Sequence, residues 1–397
     1  MNSAVIVDAL RSPVGRGKSN GVLASVHPVD LLAQVLSALV ERNAIDPGTI
    51  DDVLVGCVGQ AGEQSATPGR QAVLAAGFPI HVPSVTIERK CGSSQQALDF
   101  AVQGVQTGAY DIAIAAGVES MSRVIMGSAR MGADPYGAGV RDRFPLLVPQ
   151  GISAELVAKK WGLTRTQLDD YSARSHERAA KTRDSGGFDN EIVAIRTPGG
   201  LVIDCDETIR DSTSSEALSS LPTAFDSGEY RELFPEIEWM VTPGNSSQIA
   251  DGASAVLVMS EERCRALGLT ARARVIASCV VGDDPLLMLT GPIPATYKVL
   301  SRAGLNLDDF AVVEVNEAFA SVPLAWQMEC PVSDEVLNPI GGAIALGHPL
   351  GASGCRLTTS LINHLERIGG RYGLQTMCEA GGMANATVFE SLSHGAR

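Results

Sequence analysis

Three side chains able to do chemistry sit in turns built from small residues. Cys91 opens Cys91-Gly92-Ser93-Ser94. His348 lies within the glycine-rich stretch Gly341 to Gly354, and Cys378 lies in Met377-Cys378-Glu379-Ala380-Gly381-Gly382. Glycine beside a thiol or an imidazole lets backbone N–H groups and a substrate approach closely. Two thiols and one base in such surroundings point to acyl transfer through a thioester.

Each residue has a chemical reading and a plainer one. Cys91 precedes a helical stretch, Ser94 to Gly104, whose N-terminal dipole favours thiolate and whose N–H groups can meet an oxyanion. The plainer reading is a buried, inert thiol. His348, between Gly347 and Pro349, can take a proton from a thiol as neutral imidazole, or it caps the helix that follows. Cys378 ends an apolar strand. It is a second acid/base candidate because a free thiol ionises at about pH 8.5, or else a packed strand-end thiol. Asn316-Glu317-Ala318-Phe319 follows the strand Val312 to Val315. Its carboxamide and carboxylate can hold a water or orient a base, or Asn316 is an ordinary helix N-cap. Asn245 to Gly252 reads as a polar turn.

The elements that position these residues alternate. Strands are predicted at Ala4 to Asp8, Val53 to Val58, Ser84 to Glu88, Asp111 to Gly117 and Ala255 to Met259, with helical spacing over Pro28 to Leu36 and Gln95 to Gly104. From about Arg272 the plan repeats. Strands fall at Ala273 to Ser278, Ala311 to Val315, Leu374 to Cys378 and Ala386 to Glu390, and helices at Pro294 to Ala303 and Gly354 to Ile368. This pattern predicts an α/β fold with a parallel-rich sheet, helices on its faces, and two similar halves. Glu119 to Ile249 breaks the pattern, with helices predicted at Ser153 to Lys160 and Arg165 to Asp184. An insertion of this length usually covers a site.

Of the 397 residues, 45% are hydrophobic and 19% charged, which supports a large core and argues against disorder. A net charge of −14 without a Lys/Arg run makes nucleic acid an unexpected partner. The eight cysteines form no C-x-x-C pair, so no metal site or redox dithiol is expected. No signal peptide or membrane span is expected, and His394 to Arg397 is not a peroxisomal address. The expected setting is a reducing cytoplasm with free thiols.

Taken together, the segments resemble the thiolase family nearly end to end. The matching pieces are Cys91 to Ser94, Gly117-Val118-Glu119-Ser120-Met121-Ser122, Asn245 to Gly252, Asn316 to Phe319, Gly341 to Gly354 and the Cys378 turn. Bacterial thiolases of fatty-acid or sterol degradation are the most similar group. The resemblance implies a five-layered αβαβα body of two similar halves, 1–118 with 250–271 and 272–397, and a loop domain, 119–249, over the coenzyme A site. It implies cleavage of 3-oxoacyl-CoA by coenzyme A, which is a substrate, with no bound cofactor, in a homodimer or homotetramer. In the roles it implies, Cys91 is the nucleophile, His348 its base, and Cys378 the second acid/base. Asn316 holds a water that forms one oxyanion hole with His348. The N–H groups of Cys91 and Ala380 form the other, and Ser247 contacts pantetheine.

Several positions depart from the family pattern. Ala380 replaces a usual glycine, adding a Cβ and restricting φ. Gln150 stands where many relatives carry methionine, after Pro149 where acetoacetyl-specific relatives carry histidine. No basic residue precedes Pro222-Thr223-Ala224-Phe225. Two other readings remain in view: a ketoacyl-synthase-like condensing enzyme, against which the Cys378 turn argues, and a non-catalytic acyl-CoA or lipid binding protein, favoured only by Ala380.

Overall fold

The computed structural model describes residues 2–393, so His394 to Arg397 lies outside the described residues. Strands Ala4–Arg11, Ile112–Ser120 and Ala250–Ser260 are buried at every position. Burial on both faces explains why they read as apolar runs rather than alternations.

In the first half the strand order is Ser84–Ile87, Asp52–Gly56, Ile112–Ser120, Ala250–Ser260, Ala4–Arg11. The first three run parallel, and the last two pair antiparallel. The second half repeats this. Phe310–Val315 is parallel to Tyr372–Glu379, then Met383–Ser391 and Ala273–Gly282 follow antiparallel. A parallel bridge from Val313 to Leu337 stands where the first half has its outermost strand. The halves join through the single pair Ile6 and Ala273. The sheet is thus mixed rather than parallel-rich. An apolar run buried on both faces does not encode strand direction. The tight return after Glu379 does, because it can only join antiparallel neighbours.

The core falls into layers. Leu31, Val35, Leu39 and Val73 of helices Pro28–Arg42 and Pro68–Ala75 pack on Val53, Ile112 and Leu257 of the first sheet. Ala97, Leu98, Leu361 and Leu365 of helices Ser93–Thr107 and Ser353–Ile368 lie between the halves. They touch Leu54 and Val256 on one side and Val312 and Phe389 on the other. Val299 and Trp326 of Pro292–Ala303 and Ser321–Glu329 cover the far face against Val313, Leu374 and Val388. The result is αβαβα, with the helices that follow Cys91 and His348 in the central layer.

Residues 121–249 leave the sheet between two adjacent strands. They carry helices Gln150–Lys160 and Arg165–Asp184. The first starts earlier than Ser153, with Pro149 at its N-cap; the second starts on a Thr164/Gln167 capping box. Arg11, fully buried, holds this segment to the body. Its Nε meets Glu191 at 2.6 Å, and Nη1 and Nη2 meet Asp206 at 2.7 and 2.9 Å. Among the described residues no helix is long and apolar enough to cross a membrane.

Candidate active site

Cys91 sits at the mouth of the Ser93–Thr107 helix because the chain turns sharply before it. Lys90 is held in the left-handed region at φ +47°, a conformation that costs a non-glycine residue about 1 kcal/mol or more. Ser93 locks the turn, accepting from the Arg89 N–H at 2.9 Å and donating to the Lys90 carbonyl at 2.6 Å. The thiol is buried against Leu357 and Met377, with Leu350 beside it. Burial, then the nearby Glu379, pushes Cys91 up to about 12. Loss of solvation therefore leaves Cys91 a neutral thiol at rest.

His348 is fixed at both ends. Its peptide N–H donates to the Gln248 carbonyl at 2.9 Å. Gln248 Nε2 in turn donates to the Ile344 carbonyl at 2.9 Å, so the polar turn Asn245 to Gly252 is the mould of the histidine loop. The ring Nδ1 lies 2.6 Å from Ser353 Oγ, and Ser353 Oγ donates to the Pro349 carbonyl at 2.9 Å. A hydroxyl has one proton. With that proton committed to Pro349, Ser353 accepts Nδ1–H, and Nε2 is left with its lone pair. His348 therefore caps no helix, and its Nε2 carries the lone pair. Burial, then Arg356, lowers it to about 3, so it is neutral at rest.

The first turns of the two central helices touch. A Cβ on Gly354 would lie 2.2 Å from Gln95 N, so only glycine permits this crossing. Ser94 Oγ accepts from the Cys355 N–H at 3.0 Å across it. Glu119 ties the histidine loop to the first half, accepting from the N–H groups of Gly351, Val58 and Gly59 at 2.9 to 3.0 Å. The glycines of the histidine stretch thus bring Cys91 and His348 to one edge of the central layer.

Cys378, fully buried, is the last residue but one of the strand Tyr372–Glu379. Its thiol is pushed well up by burial, then by Cys91 and Glu379. The Glu379 carboxyl, buried with both oxygens unpartnered, is itself raised to about 8. Asn316 is not a helix N-cap; Ala320 holds that position for the next helix. Its N–H donates to Thr376 at 3.0 Å, its Nδ2 lies 3.4 Å from His348 Nε2, and its buried Oδ1 has no protein partner. Glu317 faces away from His348. It accepts from Tyr171 at 2.9 Å, Ser175 at 2.7 Å and the Ile344 N–H at 3.0 Å, clamping the inserted helix to the histidine loop. Ala380 opens the turn without entering the left-handed region; Gly381 (φ +94°) and Gly382 (φ +75°) do that. Ser247, half-buried, is held by its N–H to the Ala318 carbonyl at 2.9 Å. Ser353 was invisible as a partner in the sequence, although a hydroxyl five positions after the histidine was its only signal. Glu119 lay inside a matching segment without a stated task.

A neutral imidazole with an unprotonated Nε2, two buried thiols, and a carboxamide beside the imidazole can pass a proton and hold an acyl group. The family profile described as "Thiolase, N-terminal domain" matches residues 4–262, and "Thiolase, C-terminal domain" matches residues 269–391. The chain belongs to the thiolase family. It is 44% identical to the steroid 3-ketoacyl-CoA thiolase FadA6 of Mycobacterium tuberculosis, over 99% of this chain and 95% of that protein. It is also 44% identical to a 3-ketoacyl-CoA thiolase of Pseudoalteromonas translucida, over 98% and 99%. The crystal structure of the Bacillus anthracis acetyl-CoA acetyltransferase superposes with a TM-score of 0.88 at 35% identity, covering 99% of each chain. As a thiolase, this chain is an acyltransferase that cleaves or forms 3-oxoacyl-CoA with coenzyme A as substrate.

Proposed function

We propose that this thiolase works degradatively, cleaving 3-oxoacyl-CoA from fatty-acid or steroid breakdown, and that Cys91, His348 and Cys378 carry the reaction. The carrying observation is the chain from Pro349 through Ser353 to His348, which leaves Nε2 as the proton acceptor. His348 takes the Cys91 proton, and Cys91 Sγ attacks the 3-keto carbon. The C2–C3 bond breaks, leaving acyl-Cys91 and the acetyl-CoA enolate. Cys378, held protonated by burial, protonates that enolate. Coenzyme A then gives its thiol proton to Cys378, its sulfur attacks the thioester, and the departing Cys91 sulfur regains its proton from His348. The covalent intermediate divides one difficult step into two.

Asn316 and His348 line the hole for the enolate oxygen. The unpartnered Asn316 Oδ1 supports this reading, since a buried orphan acceptor costs about 1–3 kcal/mol unless a ligand or water meets it. The N–H groups of Cys91 and Ala380 serve the other oxyanion, and Ser247 contacts pantetheine. Segment 119–249 covers coenzyme A as a loop domain between the halves 1–118 with 250–271 and 272–397. A homo-oligomer in the cytoplasm, without nucleic acid or membrane partners, completes the reading. The non-catalytic alternative rested on Ala380, whose φ lies outside the left-handed region.

The test is intact-mass analysis with a panel of 3-oxoacyl-CoA substrates. Wild type should gain one acyl group, and Cys91→Ala none. A normal adduct on Cys91→Ala would sink the assignment of the nucleophile. Thiolysis rates across straight-chain and steroid-derived substrates decide the acyl group.

A further inference from the structure

A carboxyl lies against the turn that carries Cys91. Met377 and Glu379 share one face of the strand Tyr372–Glu379, and Asn385 pairs with Met377 from the neighbouring strand. That face meets the start of the Ser93–Thr107 helix. Met377 packs on Cys91, and Asn385 Nδ2 donates to the Gly92 carbonyl at 3.2 Å. A Cβ on Gly92 would overlap Glu379 Oε1 and lie 2.7 Å from Asn385 Nδ2. The carboxyl therefore rests on the Gly92 backbone, one residue from Cys91, in a fit that only glycine permits.

Glu379 and Asn385 are wholly buried. Both Glu379 oxygens and Asn385 Oδ1 lack a partner among the described residues. Three acceptors thus gather beside Gly92 without a donor. The surrounding charges supply no counter-ion. Arg89, ahead of the turn, favours a negative Glu379 but makes no hydrogen bond to it. Glu88 from the same stretch and Asp99 from the helix oppose one. Lys90 is committed to Glu88 at 2.9 Å. Cys91 and Cys378 are thiols, and the neighbouring strand offers the uncharged Asn385. A carboxylate taken out of water without a paired cation is too costly to keep, so such a group holds its proton. Burial accordingly raises Glu379 to about 8.

We infer that Glu379 is a positioning residue for the nucleophile: it stays protonated while Cys91 works, and its ionisation sets a second negative charge beside the Cys91 sulfur and disfavours the thiolate. The Cys91 proton still passes to His348 Nε2. The Glu379 proton remains on its carboxyl through both half-reactions and leaves to solvent only as pH rises. Two like charges in a dry interior repel far more strongly than in water, so this carboxyl gives the site an alkaline limit.

The inference rests on Cys91 being the nucleophile, and the experiment separates the two. Alkylation of Cys91 by iodoacetamide is followed by peptide mass from about pH 6 to about pH 10 in wild type and in Glu379→Gln, which keeps the shape and cannot ionise. In wild type the logarithm of the rate should climb with pH, level off over about one unit as Glu379 ionises, and climb again. In Glu379→Gln it should climb without a step, and at the alkaline end the variant should react about tenfold faster than wild type. An unbroken climb in wild type overturns the inference, even if the variant does not fold. So does a variant faster by one factor at every pH, which means a carboxylate at rest, or one equal to wild type throughout, which means that the carboxyl does not act on the sulfur. A stepped profile without an acyl adduct at Cys91 in wild type would overturn the nucleophile reading and keep the Glu379–Cys91 pair.

Discussion

Ser353 Oγ lies 2.6 Å from His348 Nδ1 while donating its only proton to the Pro349 carbonyl, and this fixes which ring nitrogen is basic. Without Ser353 the neutral ring is free to carry its proton on Nε2, where it cannot act as a base. Ser353→Ala should lower kcat/KM by at least about tenfold, in the range for a mispositioned general base. Ser353→Thr, which keeps the hydroxyl, should recover most of the loss. A wild-type rate for Ser353→Ala at every pH would remove the tautomer argument.

Cys378→Ala removes a buried thiol that is neutral at rest. Turnover should fall by about 10²–10⁴, the usual contribution of a positioned acid or base. Iodoacetamide should still label Cys91, because the thiol and His348 remain in place. Loss of labelling together with turnover would mean that Cys378 supports the site structurally instead.

Ala380→Gly is expected to leave the rate within about twofold, because Ala380 already has an unstrained backbone. Stability should drop by about 0.4–1 kcal/mol, since glycine frees the unfolded chain. Denaturant midpoints and thiolysis rates measure the two effects separately. A large gain in rate would show that the Cβ hinders the oxyanion hole.

Arg11→Met leaves Glu191 and Asp206 buried without their shared cation. Breaking a buried ion pair from one side costs about 3–5 kcal/mol. Urea unfolding should show a loss of this size. Adding Glu191→Gln and Asp206→Asn should return much of it, which a mere packing defect would not allow.

Stability should decline from pH 6.5 to 8.5. Burial raises Asp99 and Glu155 to about 7, and Glu314 and Glu379 to about 8. Each folded pKa exceeds its unfolded value, so the native state holds more protons and the stabilisation fades as pH rises through the folded pKa. His348 at about 3 and His176 at about 4 act oppositely. Their folded pKa is depressed, so stability is full above about 6.5 and falls below it. Thermal unfolding midpoints should fall from pH 6.5 to about 8, where these histidines are neutral in both states, and level off above. A flat profile from 6.5 to 8.5 would mean that those carboxyls are ionised in the folded state.

The sequence by itself determined the strand and helix succession, the repeat after Arg272 and the three reactive side chains. Apolar runs and glycine turns are local signals, readable without knowing what they pack against. Strand direction is not carried by the apolar runs themselves; for Met383–Ser391 it is set by the short turn after Glu379. Only the tertiary structure decided the protonation states, because Cys91 and His348 lose solvation through residues distant in the chain. It also decided the partners. Ser94 meets Cys355 across 261 positions, and Asn316 reaches His348 across 32. Such contacts are made by layers closing on one another, and residue order carries no record of which faces will meet.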